Sequence, residues 1–195
     1  MCMARNKEYD RDKVLDAATR LFWEKGYTGT SVNALVQATG LGKRSMYQEF
    51  GSKENLFREC LQNYMFNLNR EANSILGRQP QGLANIEAFF ANRIDHASTS
   101  NSKGCMVINA AIEKELIDAE AFDMAQKALA GHENAFFDCL EAARSKGEIP
   151  EGKDLRALAG FLMTFSAGLM VMCKTEPEKK ALAASVDAAL SVVKN

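Results

Sequence analysis

Between Thr30 and Phe50 the chain carries two short helical patterns on either side of a glycine turn, and few folds accommodate that arrangement. Val32, Leu35 and Val36 recur three and four apart up to Ala38, Gly40-Leu41 interrupts, and a second segment runs from Lys43 to about Glu49 with Met46 and then Phe50 on its apolar side. That spacing gives each segment one buried face. Thr30 and Ser31 offer an N-cap for the first. Two short helices joined by a three- or four-residue turn with a glycine form the helix-turn-helix pattern. The second helix leaves Lys43, Arg44, Ser45, Tyr47 and Gln48 exposed, and these supply the donors that phosphates and base edges accept.

The rest of the chain extends the helical pattern. Val14, Leu15, Ala18, Leu21 and Phe22 mark a helix over about 10–25, and Gly26 stops it. Gly51-Ser52 is a break followed by an N-cap, with Glu54 well placed in the first turn of a long helix over 53–76. Pro80 sits in a linker over 77–82, and further helices are expected over 83–97, 104–117, 121–145, 154–174 and 177–193. Only three prolines occur in 195 residues, and no stretch alternates with period two. The expected class is therefore all-α, about nine helices: a helix-turn-helix domain over 1–52 and a helical domain over 53–195 joined through the helix at 53–76.

Charge and cysteine usage narrow the function classes. The net charge is −1, but residues 1–58 hold ten Lys/Arg against seven Asp/Glu, so the N-terminal third is mildly basic in an otherwise acidic chain. Cys2, Cys60, Cys105, Cys139 and Cys173 are dispersed, odd in number and without CxxC spacing, which suits reduced thiols in the cytoplasm. The polar N-terminus shows no signal-peptide pattern. Residues 157–173 are uncharged but slightly short for a membrane span, and a buried helix is expected there. A catalytic cysteine would need an oriented base. The only histidines are His96 and His132, and nothing in the sequence ties either to Cys105. No phosphate loop, dinucleotide fingerprint or metal-ligand spacing is present, so neither an enzyme nor a metal or cofactor site is expected.

From Val14 to Phe57 the chain resembles the DNA-binding domain of the TetR family. The residues that carry the likeness are Leu21-Phe22, Lys25-Gly26-Tyr27, Thr30-Ser31, Thr39-Gly40, Lys43, Ser45, Tyr47, Phe50, Ser52-Lys53-Glu54 and Leu56-Phe57. The resemblance implies a double-stranded, palindromic DNA operator. Arg44, Ser45 and Gln48 would face bases, Lys43 and Tyr47 would brace the backbone, and Thr30 or Ser31 together with Lys53 would hold phosphates. Many relatives have glycine where this chain has Arg44, which should reach a base or a phosphate instead. Glu49 is a mildly repulsive element near the groove.

The resemblance also implies a homodimer formed by the last two helices. Leu158, Leu162, Phe165 and Leu169, then Leu182, Val186 and Leu190, make apolar stripes suited to a four-helix bundle, and Gly160, Thr164 and Gly168 permit close approach. It implies a sensor for an unknown small-molecule inducer between about 86 and 165, with Phe89, Phe90, Met106, Phe122, Phe136, Phe137 and Met163 as candidate lining residues. The run from Lys103 to Glu113, with Gly104-Cys105, Asn109 and Glu113, is similar to a subgroup that includes N-ethylmaleimide- and acrylate-responsive repressors. Cys105 is expected at a helix N-terminus with Lys103 close in sequence, a setting that favours thiolate. Gly104-Cys105, Asn109 and Glu113 could equally serve structural capping and packing, so the alternatives are a reactive Cys105, a non-covalent pocket, or no ligand at all.

Overall fold

The computed structural model describes residues 9–98, 103–175 and 177–195. They form α1 (Arg11–Lys25), α2 (Val32–Thr39), α3 (Lys43–Phe50), α4 (Lys53–Leu76), α5 (Leu83–Ser98), α6 (Met106–Ile112), α7 (Ala119–Ser145), α8 (Leu155–Met172) and α9 (Lys179–Lys194), with a 3₁₀ turn at Cys173–Thr175. No strand occurs among the described residues. Cys2 and residues 99–102 of the break expected over 98–103 lie outside them.

Local chemistry sets the ends. Asp10, Ser31, Ser52, Asp118 and Asp154 each accept a backbone N–H of the helix that follows, which satisfies donors no helical carbonyl can reach. The helix expected over 104–117 is shorter. It stops at Ile112, because Glu113 leaves the helical path and turns its carboxylate onto the loop after α1.

Two apolar cores result. The first joins Val14, Ala18 and Phe22 of α1 and Leu35, Met46 and Phe50 of the next two helices to Leu56, Phe57, Cys60 and Leu61 of α4. It continues without a gap into Met106, Val107 and Ala110 of α6 and Ala121, Ala125 and Ala128 of α7. The second gathers the end of α4, α5, the later part of α7, α8 and α9 around Phe89, Phe90 and Phe136. Helices α4 and α7 thus run through both cores, and α1 rests directly on α6.

Helix α8 with its following turn is long and apolar enough, by length and composition, to cross a membrane. The expectation that it is buried holds for one face only. Leu155, Ala159, Leu162, Ser166 and Leu169 are buried, whereas Ala157, Phe161, Thr164, Gly168 and Val171 are exposed at the same helical spacing.

Candidate DNA-binding face and sensor cavity

Helix α3 lies against the first core through Met46 and Phe50. Its outer face presents Lys43, Arg44, Tyr47 and Gln48 to solvent, with Ser45 half-buried. Glu49 does not oppose this face. Its carboxylate accepts from Tyr9 Oη at 2.5 Å and Arg11 Nε at 2.8 Å, which turns the negative charge towards α1. Of the two residues expected at phosphate, Ser31 is exposed and caps α2. Thr30 is fully buried and its hydroxyl donates to the Gly26 carbonyl at 2.7 Å, so its side chain stabilises the loop and is not available to DNA. Lys53 donates to the Tyr27 carbonyl at 2.7 Å and sits 4.0 Å from the Tyr27 ring centroid. Burial pulls its ammonium below the ordinary lysine value. Lys53 is thus first a tie between α4 and the loop after α1, with two N–H groups remaining for a phosphate.

Beneath this head lies a cavity of about 640 Å³. Its walls come from α1 (Thr19, Trp23), α4 (Tyr64, Leu68), α5 (Phe89, Arg93), the segment leading into α6 (Cys105, Val107), α7 (Leu129, His132) and α8 (Met163, Ser166, Met170). The sensor site expected between about 86 and 165 does not account for all of this cavity, because α1 of the helix-turn-helix head is itself a wall. Among the expected lining residues, Cys105, Phe89 and Met163 border the cavity. The others sit elsewhere. Phe90 and Phe136 are fully buried and stack in the second core at 5.8 Å, and Met106 fills the first core. Phe137 lies under the Arg156 guanidinium at 3.8 Å, and Phe122 lies near Lys114 Nζ. Asn109 accepts from Lys174 Nζ at 2.9 Å.

Cys105 is buried, and its neighbour is the phenol of Tyr64, whose ionisation is pushed up by burial and then by the thiol. Lys103, expected near the thiol, instead pairs with Glu24 at 3.0 Å. Burial pushes the Cys60 thiol up to about 12 and that of Cys139 up to about 11, which suits inert apolar packing. Among the described residues no group of His, Cys, Asp and Glu could hold a metal ion.

Arg93 and His132 carry no motif, but both lie within buried helical stripes. Arg93 follows Ile86, Phe89 and Phe90 at the spacing of the apolar face of α5, and His132 falls between Leu129 and Phe136 on α7. A polar side chain on a buried stripe is the signal that would have found them.

The cavity wall is tied to the DNA-binding head at three points. Trp23 Nε1 donates to the Gly104 carbonyl at 2.9 Å, and Lys103 bonds Glu24. The Glu113 carboxylate accepts from the Tyr27 amide at 2.8 Å and the Thr28 amide at 3.1 Å. Two glycines permit this. Gly26 has φ +72°, and a Cβ there would stand 3.0 Å from both Glu113 carboxylate oxygens. Gly104 has φ +69°, and a Cβ there would stand 3.0 Å from the Met170 carbonyl.

A helix-turn-helix head set on a helical body with a cavity at their junction defines a DNA-binding transcriptional regulator. The sequence profile of bacterial regulatory proteins of the tetR family matches residues 14–60, and that of the tetracyclin repressor-like C-terminal domain matches residues 82–189. The uncharacterized HTH-type transcriptional regulator YezE of Bacillus subtilis is 31% identical over 193 residues, covering 98% of this chain and 100% of that one. The HTH-type transcriptional repressor ComR of Escherichia coli is 32% identical over 175 residues, covering 87% and 82%. The solved structure of a cysteine-substituted TetR family regulator, CifR, in complex with 26-base-pair operator DNA superposes with a TM-score of 0.84 at 28% identity, covering 96% of this chain and 98% of that one. The chain belongs to the TetR family of transcriptional regulators.

Proposed function

We propose that the protein is a cytoplasmic homodimeric repressor that holds a palindromic operator and lets go when a small molecule occupies the cavity. The observation that carries this reading is the shared wall: α1 belongs both to the DNA-binding head and to the cavity, and Glu113 pins the loop after α1 to the end of α6. A ligand that displaces α1 or α6 moves the head as a body. The two recognition helices of a dimer must lie about 34 Å apart to read successive major grooves. A few kcal/mol of preference for a differently spaced state is enough to release DNA.

The face that suits a second copy is the outward side of α8 and α9. Leu162, Leu169, Leu182, Val186 and Leu190, expected at the interface, are buried within the protomer, and Phe165 packs edge-on against Phe90 at 5.5 Å. Leu158 is half-buried against the same core. What α8 leaves exposed is Ala157, Phe161, Thr164, Gly168 and Val171, and α9 adds Ala181, Ala184, Ala188 and Val192. These uncharged strips fit a close-packed four-helix bundle across a two-fold axis. Relatives act in keeping with this reading: ComR carries the name of a repressor and CifR was captured on operator DNA.

Modification of Cys105 is a second route to the same release, favoured by the thiol's place in the cavity wall. The likeness to N-ethylmaleimide- and acrylate-responsive repressors then reduces to this one residue, because Asn109 and Glu113 have structural partners.

The test is binding of the purified protein to duplex DNA from its own promoter, with stoichiometry read by light scattering. Two protomers on one palindromic site, with affinity falling steeply as salt rises, is the expected result. A monomer that binds any duplex equally well would overturn the proposal.

A further inference from the structure

The cavity wall mixes apolar with polar and charged side chains, and of its cations Arg20 is exposed, Lys103 half-buried and Arg93 buried. Arg93 is only 7% exposed, with its guanidinium 4.7 Å from the Phe89 ring centroid. Its ion-pair partner Glu71 stands at 3.5 Å and is at the same time engaged by His96 Nε2 at 2.8 Å and Asn92 Nδ2 at 3.2 Å. Among the described residues, none accepts a hydrogen bond from Arg93, although a guanidinium offers five N–H donors. The imidazole of His132 lines the same cavity, and its Nε2 is buried with no hydrogen-bond partner among the described residues. Burial, and then the charge of Arg93, hold that imidazole neutral, its pKa lowered to about 4. The His132 Nε2 therefore borders the cavity with its hydrogen bond unmade, which in a protein interior is costly, and the Arg93 guanidinium on the same cavity keeps N–H groups for a ligand.

We infer that the inducer is a compact apolar molecule ending in a single carboxylate, with the carboxylate on Arg93 and His132 and the apolar end against Leu129, Met163 and Met170. This rests on the cavity being the sensor site. The guanidinium fork matches the two oxygens of a carboxylate. His132 in its Nε2–H form donates to the same group while adding no charge. Glu71 stands partly in solvent and is shared with His96 and Asn92, so the buried Arg93 keeps attraction for one further carboxylate. A phosphomonoester would leave a second buried charge unpaired. A neutral amide would set its own N–H₂ against donors. The cavity volume falls in the range of small-molecule sites.

The experiment uses Nile red, an uncharged dye, to report occupancy of the cavity of the full-length protein. Octanoate and phenylacetate compete against octanamide and phenylacetamide. Carboxylates should displace the dye at concentrations at least tenfold lower than the matched amides and should release promoter DNA. Arg93→Met should bring each pair within about twofold, while Arg93→Lys, which keeps the charge, should retain most of the preference. Thermal unfolding of both variants confirms that they fold. Amides that compete as well as carboxylates, or a preference that survives Arg93→Met, would overturn the inference and leave the cavity as the sensor. Dye that binds and that no competitor displaces would do the same. Absence of both dye binding and thermal protection by any of the four probes would remove the sensor reading with it.

Discussion

Replacing Glu113 with alanine should both destabilise the protein and uncouple its two halves. The carboxylate accepts two backbone amides, of Tyr27 at 2.8 Å and Thr28 at 3.1 Å, across the junction between α6 and the loop after α1. Hydrogen bonds to charged groups are worth about 1.5–3 kcal/mol each. Thr28 is exposed, so its amide can turn to water and the second bond counts for less. The loss should therefore total about 2–3 kcal/mol. For a chain of this length each kcal/mol lowers the melting temperature by about 2–4 °C, so calorimetry should record a fall of about 5–10 °C. Glu113→Gln keeps one acceptor oxygen and should lose roughly half as much. Gly26→Ala attacks the same contact from the other side, by strain at φ +72° and by crowding the carboxylate oxygens. The double variant should be less destabilised than the sum of the single ones. The decisive reading is functional: alkylation of Cys105 with N-ethylmaleimide should weaken promoter binding much less in Glu113→Ala than in the native protein. A melting temperature within about 1 °C of native, with an undiminished response to alkylation, would refute the argument that this contact carries the signal.

Other consequences are checked more simply. Lys43→Ala should weaken binding to all duplexes alike and lower the log–log salt slope by about 1, as loss of one phosphate contact does; an unchanged slope removes Lys43 from the phosphate set. Phe161→Asp puts a charge in the middle of the exposed strip of α8 and should convert the dimer to a monomer in sedimentation runs, with promoter affinity falling more than tenfold; a persistent dimer means another face is used. His132 is held neutral in the fold, so below the ordinary histidine pKa near 6.5 the unfolded chain takes up a proton that the folded chain refuses. Stability should fall as pH drops from about 6.5 to about 4, by about 3 kcal/mol, and then level off for this group. Urea unfolding of native protein and His132→Leu at pH 7.5 and 4.5 should show a smaller pH dependence in the variant, and equal dependence would contradict the assignment.

The DNA-binding head was legible because local rules and packing agree there. Ser31 caps, Met46 and Phe50 face inward, and Lys43, Arg44, Tyr47 and Gln48 are left outside by helical spacing alone. Thr30 misled because a hydroxyl beside a cap has two options, and burial against Gly26 decides between them only in three dimensions. Most of the stripe expected at the dimer interface is buried within the protomer for a related reason. On α8 both faces are apolar, and periodicity cannot say which one the protomer keeps for its own core. The junction at Glu113 and the cavity depend on residues 80 or more positions apart, Trp23 with Gly104 and Tyr27 with Glu113, which no local pattern records. Arg93 was readable in principle, since a charge on the apolar face of α5 asks for a partner.

If what fills the cavity governs the DNA-binding head, a known group placed there must change promoter affinity. Cys105 borders the cavity, so N-ethylmaleimide alkylation, confirmed at that residue by mass spectrometry, adds a fixed volume to it. Fluorescence anisotropy with a labelled promoter duplex then reads the affinity. The account predicts a fall of at least tenfold, about 1.4 kcal/mol or more, in the native protein and none in Cys105→Ser. Full alkylation of Cys105 with promoter affinity unchanged would contradict it.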